Sequence, residues 1–163
     1  MTKGITMKKI FKNIIFTVLS LVIIPIYAKA DDITEVKNVF NNYVAEANNY
    51  SNSLPDYYTN NAKIIRVVNK KQGGQRAIII PRDRYIKELT GRSVLAKAVN
   101  YKNRYVNIKV SKHNGGYKVS ATRIPRNDKT GLPCYFIFIK QDGNWKIKEE
   151  SMTTNVQTFL SAK

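Results

Sequence analysis

A chain of 163 residues with one cysteine and one histidine excludes an intrachain disulfide and a zinc centre built from the usual ligand set. Its 28 Lys+Arg against 11 Asp+Glu give a formal charge of +17, which draws the chain toward anionic partners and says nothing about its fold.

The first thirty residues have the layout of a secretory leader. Lys3, Lys8, Lys9 and Lys12 form a positive start, and no acid precedes Asp31. An apolar run from Ile14 to Ile26 follows, and then Ala28-Lys29-Ala30 places small residues at the two positions a signal peptidase reads. Cleavage is expected between Ala30 and Asp31. The run is shorter than the roughly 20 apolar residues a spanning helix needs, so no stable transmembrane span is expected after cleavage, and no cysteine lies near the site to carry a lipid. The mature chain, 31–163, is expected to be exported, periplasmic or secreted. Five of the lysines leave with the leader, so 23 basic residues face 11 acidic ones, a charge of +12. At that length one core is expected and two ordinary domains are not. The abundant polyanions outside the cytoplasm are lipid headgroups, envelope polymers and acidic proteins, which leaves nucleic acid a disfavoured partner.

The mature chain opens with a helix. Asp32 and Glu35 have capping-box spacing, and Ile33, Val36, Phe40, Tyr43, Val44, Ala47 and Tyr50 form one apolar stripe. A short helical turn around Pro55 follows, with Leu54, Tyr57 and Tyr58 as contacts. From "AKIIRVV" the period changes to two, and "NKKQGGQ" returns the chain as a second strand, "RAIII". "PRDRYIKELTG" is another short helix, started by Pro81 and stopped by Gly91. Four strands then run in succession, with Asn-Gly and Asp-Gly turns between flanking strand pairs. The order is α-α-β-β-α-β-β-β-β, an α+β domain with about six strands.

Strict alternation assigns the faces of these strands. Arg104, Val106, Ile108 and Val110 point inward, and Tyr101, Asn103, Tyr105, Asn107 and Lys109 outward. Tyr117, Val119, Ala121 and Arg123 point inward, as do Trp145, Ile147 and, by the same parity, Glu149. "CYFIFI" is apolar on both faces, which predicts a cover on its outer side, most simply a second subunit. Cys134 within it reads as a buried thiol.

"LPDYYTNNAKII", "GGYKVSATRI" and "YFIFIKQDGNWKIKEES" resemble, respectively, the second helix and first strand, the fourth strand, and the closing hairpin of the nuclear transport factor 2-like superfamily, also called SnoaL-like. The resemblance spans almost all of 31–163. It implies a strongly curved antiparallel sheet wrapped round the long first helix as a cone with a pocket at its wide end. It also implies dimerisation through the outer sheet face, and in the family's enzymes an acid or base beside a tyrosine.

Glu149 is the best-placed carboxylate for such a pocket, and it lacks an evident companion. His113 lies in the "HNGG" turn. The unusual inward groups are cationic, Arg104 and Arg123, which must pair with acids or receive an anionic ligand, because an unpaired buried guanidinium is costly. Tyr43, Tyr58 and Tyr85 would line the same concavity. No metal and no cofactor is expected. The resulting expectation is an exported, non-catalytic binding or interaction module with a conical pocket, homodimeric, whose ligand or protein partner the residues do not name, an anionic small ligand or an envelope polyanion being the candidates. The alternatives are an isomerase, dehydratase or hydrolase using Glu149 and a pocket tyrosine, and an envelope component akin to type IV secretion assembly factors.

Overall fold

A computed structural model describes residues 28–91, 93–126 and 128–161; the predicted leader, apart from its last three residues, lies outside them. Helix α1 (Ala28–Asn48) begins before Asp32, so the expected capping box does not mark its start. Val36 and Phe40 are fully buried and Tyr43 nearly so, with Val39, Val44 and Ala47 packed beside them. Ile33, expected in this stripe, is exposed. The helix stops where Tyr50 turns left-handed at φ 59°. There its N–H reaches the carbonyl of Ala47 and that of Ser51 the carbonyl of Glu46, a closure more often made with glycine.

A single 3-10 turn (Leu54–Tyr57) with Pro55 in its first turn leads into β1 (Tyr58–Asn69). Gly73 and Gly74, both at positive φ, form the connection to β2 (Gln75–Ile80). Helix α2 (Arg82–Gly91) ends at the predicted glycine, and a second short helix the sequence did not announce, α3 (Ser93–Ala98), follows. The remaining strands are β3 (Asn103–His113), β4 (Gly116–Pro125), β5 (Leu132–Gln141) and β6 (Asn144–Thr154). They form one six-stranded sheet in the order β2-β1-β6-β5-β4-β3. The sheet is mixed: β1 runs parallel to β6, and the other four ladders are antiparallel.

The inner face packs on α1. Phe136 and Phe138 of β5, Val119 of β4 and Ile147 of β6 are fully buried there. The rings of Phe40 and Phe136 meet at 5.2 Å between centroids, and Tyr105 stands edge-on to Phe40 at 5.5 Å. Each such buried large side chain contributes about 1.5–3 kcal/mol. On the outer face of β5, Tyr135, Ile137 and Ile139 are half-buried.

Two β-bulges overturn the simple parity. In β3 the register with β4 slips between Val106 and Lys109, where Asn107 adopts φ 55°. Before the slip Tyr105 is paired with Arg123 and faces inward, so Arg104 is exposed; after it Val110 pairs with Val119 and faces inward. In β6 the register slips at Lys148: Phe138 opposes Ile147, yet Phe136 opposes Glu150. The inward residue after Ile147 is therefore Glu150 rather than Glu149. An extra residue in one strand reverses the alternation beyond it and bends the sheet.

Asn107 supplies the left-handed residue that the β3 bulge needs, a conformation that disfavours β-branched side chains. Asn107→Val is expected to cost about 1–2 kcal/mol and Asn107→Gly close to nothing, read as a urea midpoint shift at constant slope.

Candidate functional site

The polar part of the interior is organised around Glu150, whose exposure is 0%. In the parallel β1–β6 ladder Glu150 pairs with Ile64 and Met152 with Arg66, so Arg66 lies two residues along the same face. Its Nη2 reaches Glu150 Oε1 at 2.7 Å, with the Glu150 side chain fully buried and that of Arg66 nearly so. Arg66 Nη1 donates to its neighbour's carbonyl, Ile65 O, at 3.0 Å, and the guanidinium lies 4.9 Å from the Tyr85 ring centroid.

Three tyrosines from three elements complete the cluster. Tyr85 of α2 donates to Glu150 Oε1 at 3.1 Å. Tyr58, at the start of β1, donates to Oε2. A phenol has one proton, so with Tyr58 donating to Glu150 the donor in the 2.8 Å contact between Tyr43 and Tyr58 is Tyr43, whose hydroxyl also stands 3.3 Å from Glu150 Oε2. A carboxylate out of water needs its lone pairs satisfied, and here a guanidinium and two phenols do so directly.

The same surroundings hold the three phenols and the guanidinium in fixed protonation states. Burial, and then the Glu150 carboxylate, push the Tyr43 and Tyr58 phenols well above their ordinary range and that of Tyr85 up to about 12. Burial opposes the charge on Arg66, but the carboxylate more than offsets it and leaves the guanidinium more basic than usual.

Above this cluster opens a cavity of about 310 Å³, at the small end of ligand-pocket volumes. Tyr43, Tyr85 and Arg66 form its base; Leu54, Ile80, Leu89, Met152 and Phe159 form apolar walls; Tyr50, Tyr101, Asn103 and Ala96 lie round it. Tyr105 also lines it, and its hydroxyl bonds to no described residue. Glu88 lines the cavity as well and accepts a 3.2 Å bond from Arg84 Nε.

The six residues singled out from sequence fare differently. Tyr43, Tyr58 and Tyr85 do come together, with Tyr58 beneath the cavity wall. Arg123 is inward and 8% exposed, but no described carboxylate pairs with it. It donates instead to Asn103 Oδ1 (3.0 Å), the Tyr101 hydroxyl (3.4 Å) and Thr153 O (3.0 Å), and its Nε has no partner among the described residues. Arg104 is not inward: the bulge at Asn107 sends it to an open groove of about 670 Å³ beside α1, with Lys102, Arg126 and Asp128. Glu149 is not inward either. It accepts a 2.6 Å bond from Tyr135 and faces Lys63 at 3.7 Å on the outer side of the sheet.

His113 is the last residue of β3, at the end away from the cavity and next to the turn to β4. Cys134 is buried, and burial pushes its thiol up to about 12. Among the described residues no group of three or more His, Cys, Asp or Glu could hold a metal.

Glu150 and Arg66 were missed for physical reasons. β1 is apolar on both parities around Arg66, so alternation does not mark its face, and Glu150 becomes inward only through the bulge. The adjacent acids Glu149 and Glu150 after a tryptophan–isoleucine step were the available signal, since a bulge between them decides which one is buried.

Removing one partner of a buried pair leaves the other charge uncompensated, so Arg66→Met is expected to cost about 3–5 kcal/mol, whereas Arg66→Met with Glu150→Leu should recover most of that loss. Urea denaturation of the two single variants and the double variant measures the difference. A double variant as unstable as the sum of the singles would show that the pair is not coupled.

No protein-family model and no curated protein matches the chain. Solved structures do. A nuclear transport factor 2-like protein with a cystatin-like fold from Novosphingobium aromaticivorans aligns with a TM-score of 0.61 at 10% identity, over 77% of this chain and 83% of that one. A provisionally assigned dehydratase of the same family from Streptomyces avermitilis aligns at 0.58 and 11%, over 78% and 99%. A provisionally assigned scytalone dehydratase from Novosphingobium aromaticivorans gives 0.54 and 14%, over 76% and 84%. These likenesses concern the fold, and together with the curved mixed sheet around α1 they establish that this chain has the nuclear transport factor 2-like, cystatin-like fold.

Proposed function

We propose that this protein is a non-catalytic binding module whose cavity takes a small, largely apolar molecule carrying a neutral hydrogen-bonding group. The observation that carries the reading is the saturation of Glu150. It lies below the cavity, paired with Arg66 and bonded by phenols, so it does not face a substrate as a free base. Glu88, at the rim, is engaged by Arg84. The phenols of Tyr43 and Tyr85 are held neutral over the working pH range and suit hydrogen bonding rather than proton abstraction.

The anionic ligand expected from sequence loses its support. Arg104 is outside the cavity, Arg123 is bound up by Asn103, Tyr101 and Thr153, and the charge of Arg66 is already compensated at 2.7 Å. Apolar walls with the free hydroxyl of Tyr105 favour an uncharged ligand with a carbonyl, amide or hydroxyl. A site of that kind loses affinity when a polar partner is left unpaired.

A neutral aromatic probe, N-phenyl-1-naphthylamine, is expected to bind with enhanced fluorescence and to be displaced by uncharged amphiphiles ahead of their carboxylates. Ala47→Trp, which fills the cavity from α1, should abolish binding. Probe binding unaffected by that substitution, or steady turnover of a hydroxylated compound by dehydration, would refute the reading.

The same proposal includes export after loss of residues 1–30 and a homodimer formed through the outer sheet face, supported by the leader-like sequence and by half-buried Tyr135, Ile137 and Ile139. The exported protein is expected to show, by native mass spectrometry, twice the mass of residues 31–163; a monomer, or a chain with its leader intact, would count against it.

A further inference from the structure

The least buried large apolar residues of the described chain cluster in one short stretch. Val94, Leu95 and Val99 are 73%, 71% and 67% exposed, on α3 and just after it. Single exposed aliphatic residues need no explanation, but three within six positions make a patch. The stretch is also held in place. Tyr101 N–H bonds to Ala96 O at 2.8 Å, and Tyr50 donates its hydroxyl to Tyr101 O at 2.9 Å. Arg126 Nη1 donates to the carbonyls of Val99 (2.9 Å) and Asn100 (2.6 Å), satisfying groups that follow the end of α3.

Cations surround this patch. Lys97 is on α3 itself, and Lys102, Arg104 and Arg126 line the adjoining groove, all four exposed. The acid in that groove, Asp128, accepts bonds from the Thr130 backbone and from Asn155.

We propose that the α3 corner docks on an anionic lipid surface, with Val94, Leu95 and Val99 entering the headgroup–acyl boundary and Lys97, Lys102, Arg104 and Arg126 meeting the lipid phosphates. Charge complementarity selects this occupant: a second copy would bring the same cationic collar against itself on a chain that keeps a charge of +12 over 31–163. The patch is an exposed aliphatic corner of two valines and a leucine, which suits insertion into a fluid interface more than shape matching to a protein. Ala96, Leu89 and Tyr101 line the cavity, so docking would turn the cavity mouth toward the membrane. The proposal does not depend on the cavity holding a ligand.

The test uses the full chain with an environment-sensitive nitrobenzoxadiazole label at Val94→Cys, and in a control at Asp142→Cys in the β5–β6 turn at the opposite end of the sheet; Cys134 is buried and stays unlabelled. Vesicles are phosphatidylcholine alone or mixed with phosphatidylglycerol. The expected result is a blue-shifted, brighter label at position 94 with the anionic vesicles only, reversed by salt, and no change at position 142. Val94→Ser with Leu95→Ser and Val99→Ser should lower sedimentation with those vesicles by at least about tenfold and leave thermal unfolding unchanged. Binding through the leader would leave position 94 in water and would overturn the proposal, as would an equal shift on neutral vesicles or no binding. A concentration-dependent shift without vesicles would assign the patch to a second copy and overturn it equally.

Discussion

A carboxylate removed completely from solvent constrains everything around it, and in this protein that carboxylate is Glu150. Desolvating it is tolerable only because Arg66 meets it at 2.7 Å and the phenols of Tyr58 and Tyr85 donate to it. Those partners come from β1, its first residue and α2, while Tyr43 of α1 bonds to Tyr58. The cluster therefore ties the long helix, the short helix and the parallel β1–β6 ladder to one point. Apolar contacts tolerate small sliding; a guanidinium–carboxylate pair with two phenol donors does not. The register of β1 against β6, strands far apart in the chain, is fixed where the pair forms.

The same cluster decides the character of the cavity above it. A lone buried arginine would make the base of the cavity an anion site. With Glu150 beneath it, Arg66 contributes hydrogen-bonding capacity and little net charge, and the tyrosines contribute neutral hydroxyls. Four exposed cations, Lys97, Lys102, Arg104 and Arg126, lie outside the cavity around an exposed aliphatic corner. Interior and exterior thus offer different chemistry: an apolar-walled recess floored by tyrosines and a charge-compensated arginine, and a cationic collar on the α3 corner. Arg123 belongs to neither. Its guanidinium joins the start of β3 to the end of β6 through Asn103 and Thr153 O, which makes it a strap under the rim.

Much of the architecture was legible in the residues. The apolar stripe of α1, the Pro-started turn, the glycine turns and the two-residue periodicity gave the element order, because local propensity and burial agree at those positions. The three tyrosines were legible as inward groups for the same reason. Arg104 and Glu149 were misplaced by one cause acting twice. Alternation holds only while each residue of a strand has one partner, and the bulges at Asn107 and Lys148 break that count. Helix α3 lacked the apolar stripe that announces a buried helix, since its valine and leucine face solvent.

By itself the sequence determined the α+β class, the single core, the positive charge and the candidates from which a site could be drawn, since these depend on composition and short-range periodicity. Only the tertiary structure decided which of two adjacent glutamates is buried, which arginine meets it, and that β1 runs parallel to β6. Those outcomes turn on one-residue shifts between strands distant in the chain. The energy that selects among them is the cost of an unpaired buried charge, and it acts only once the strands are side by side.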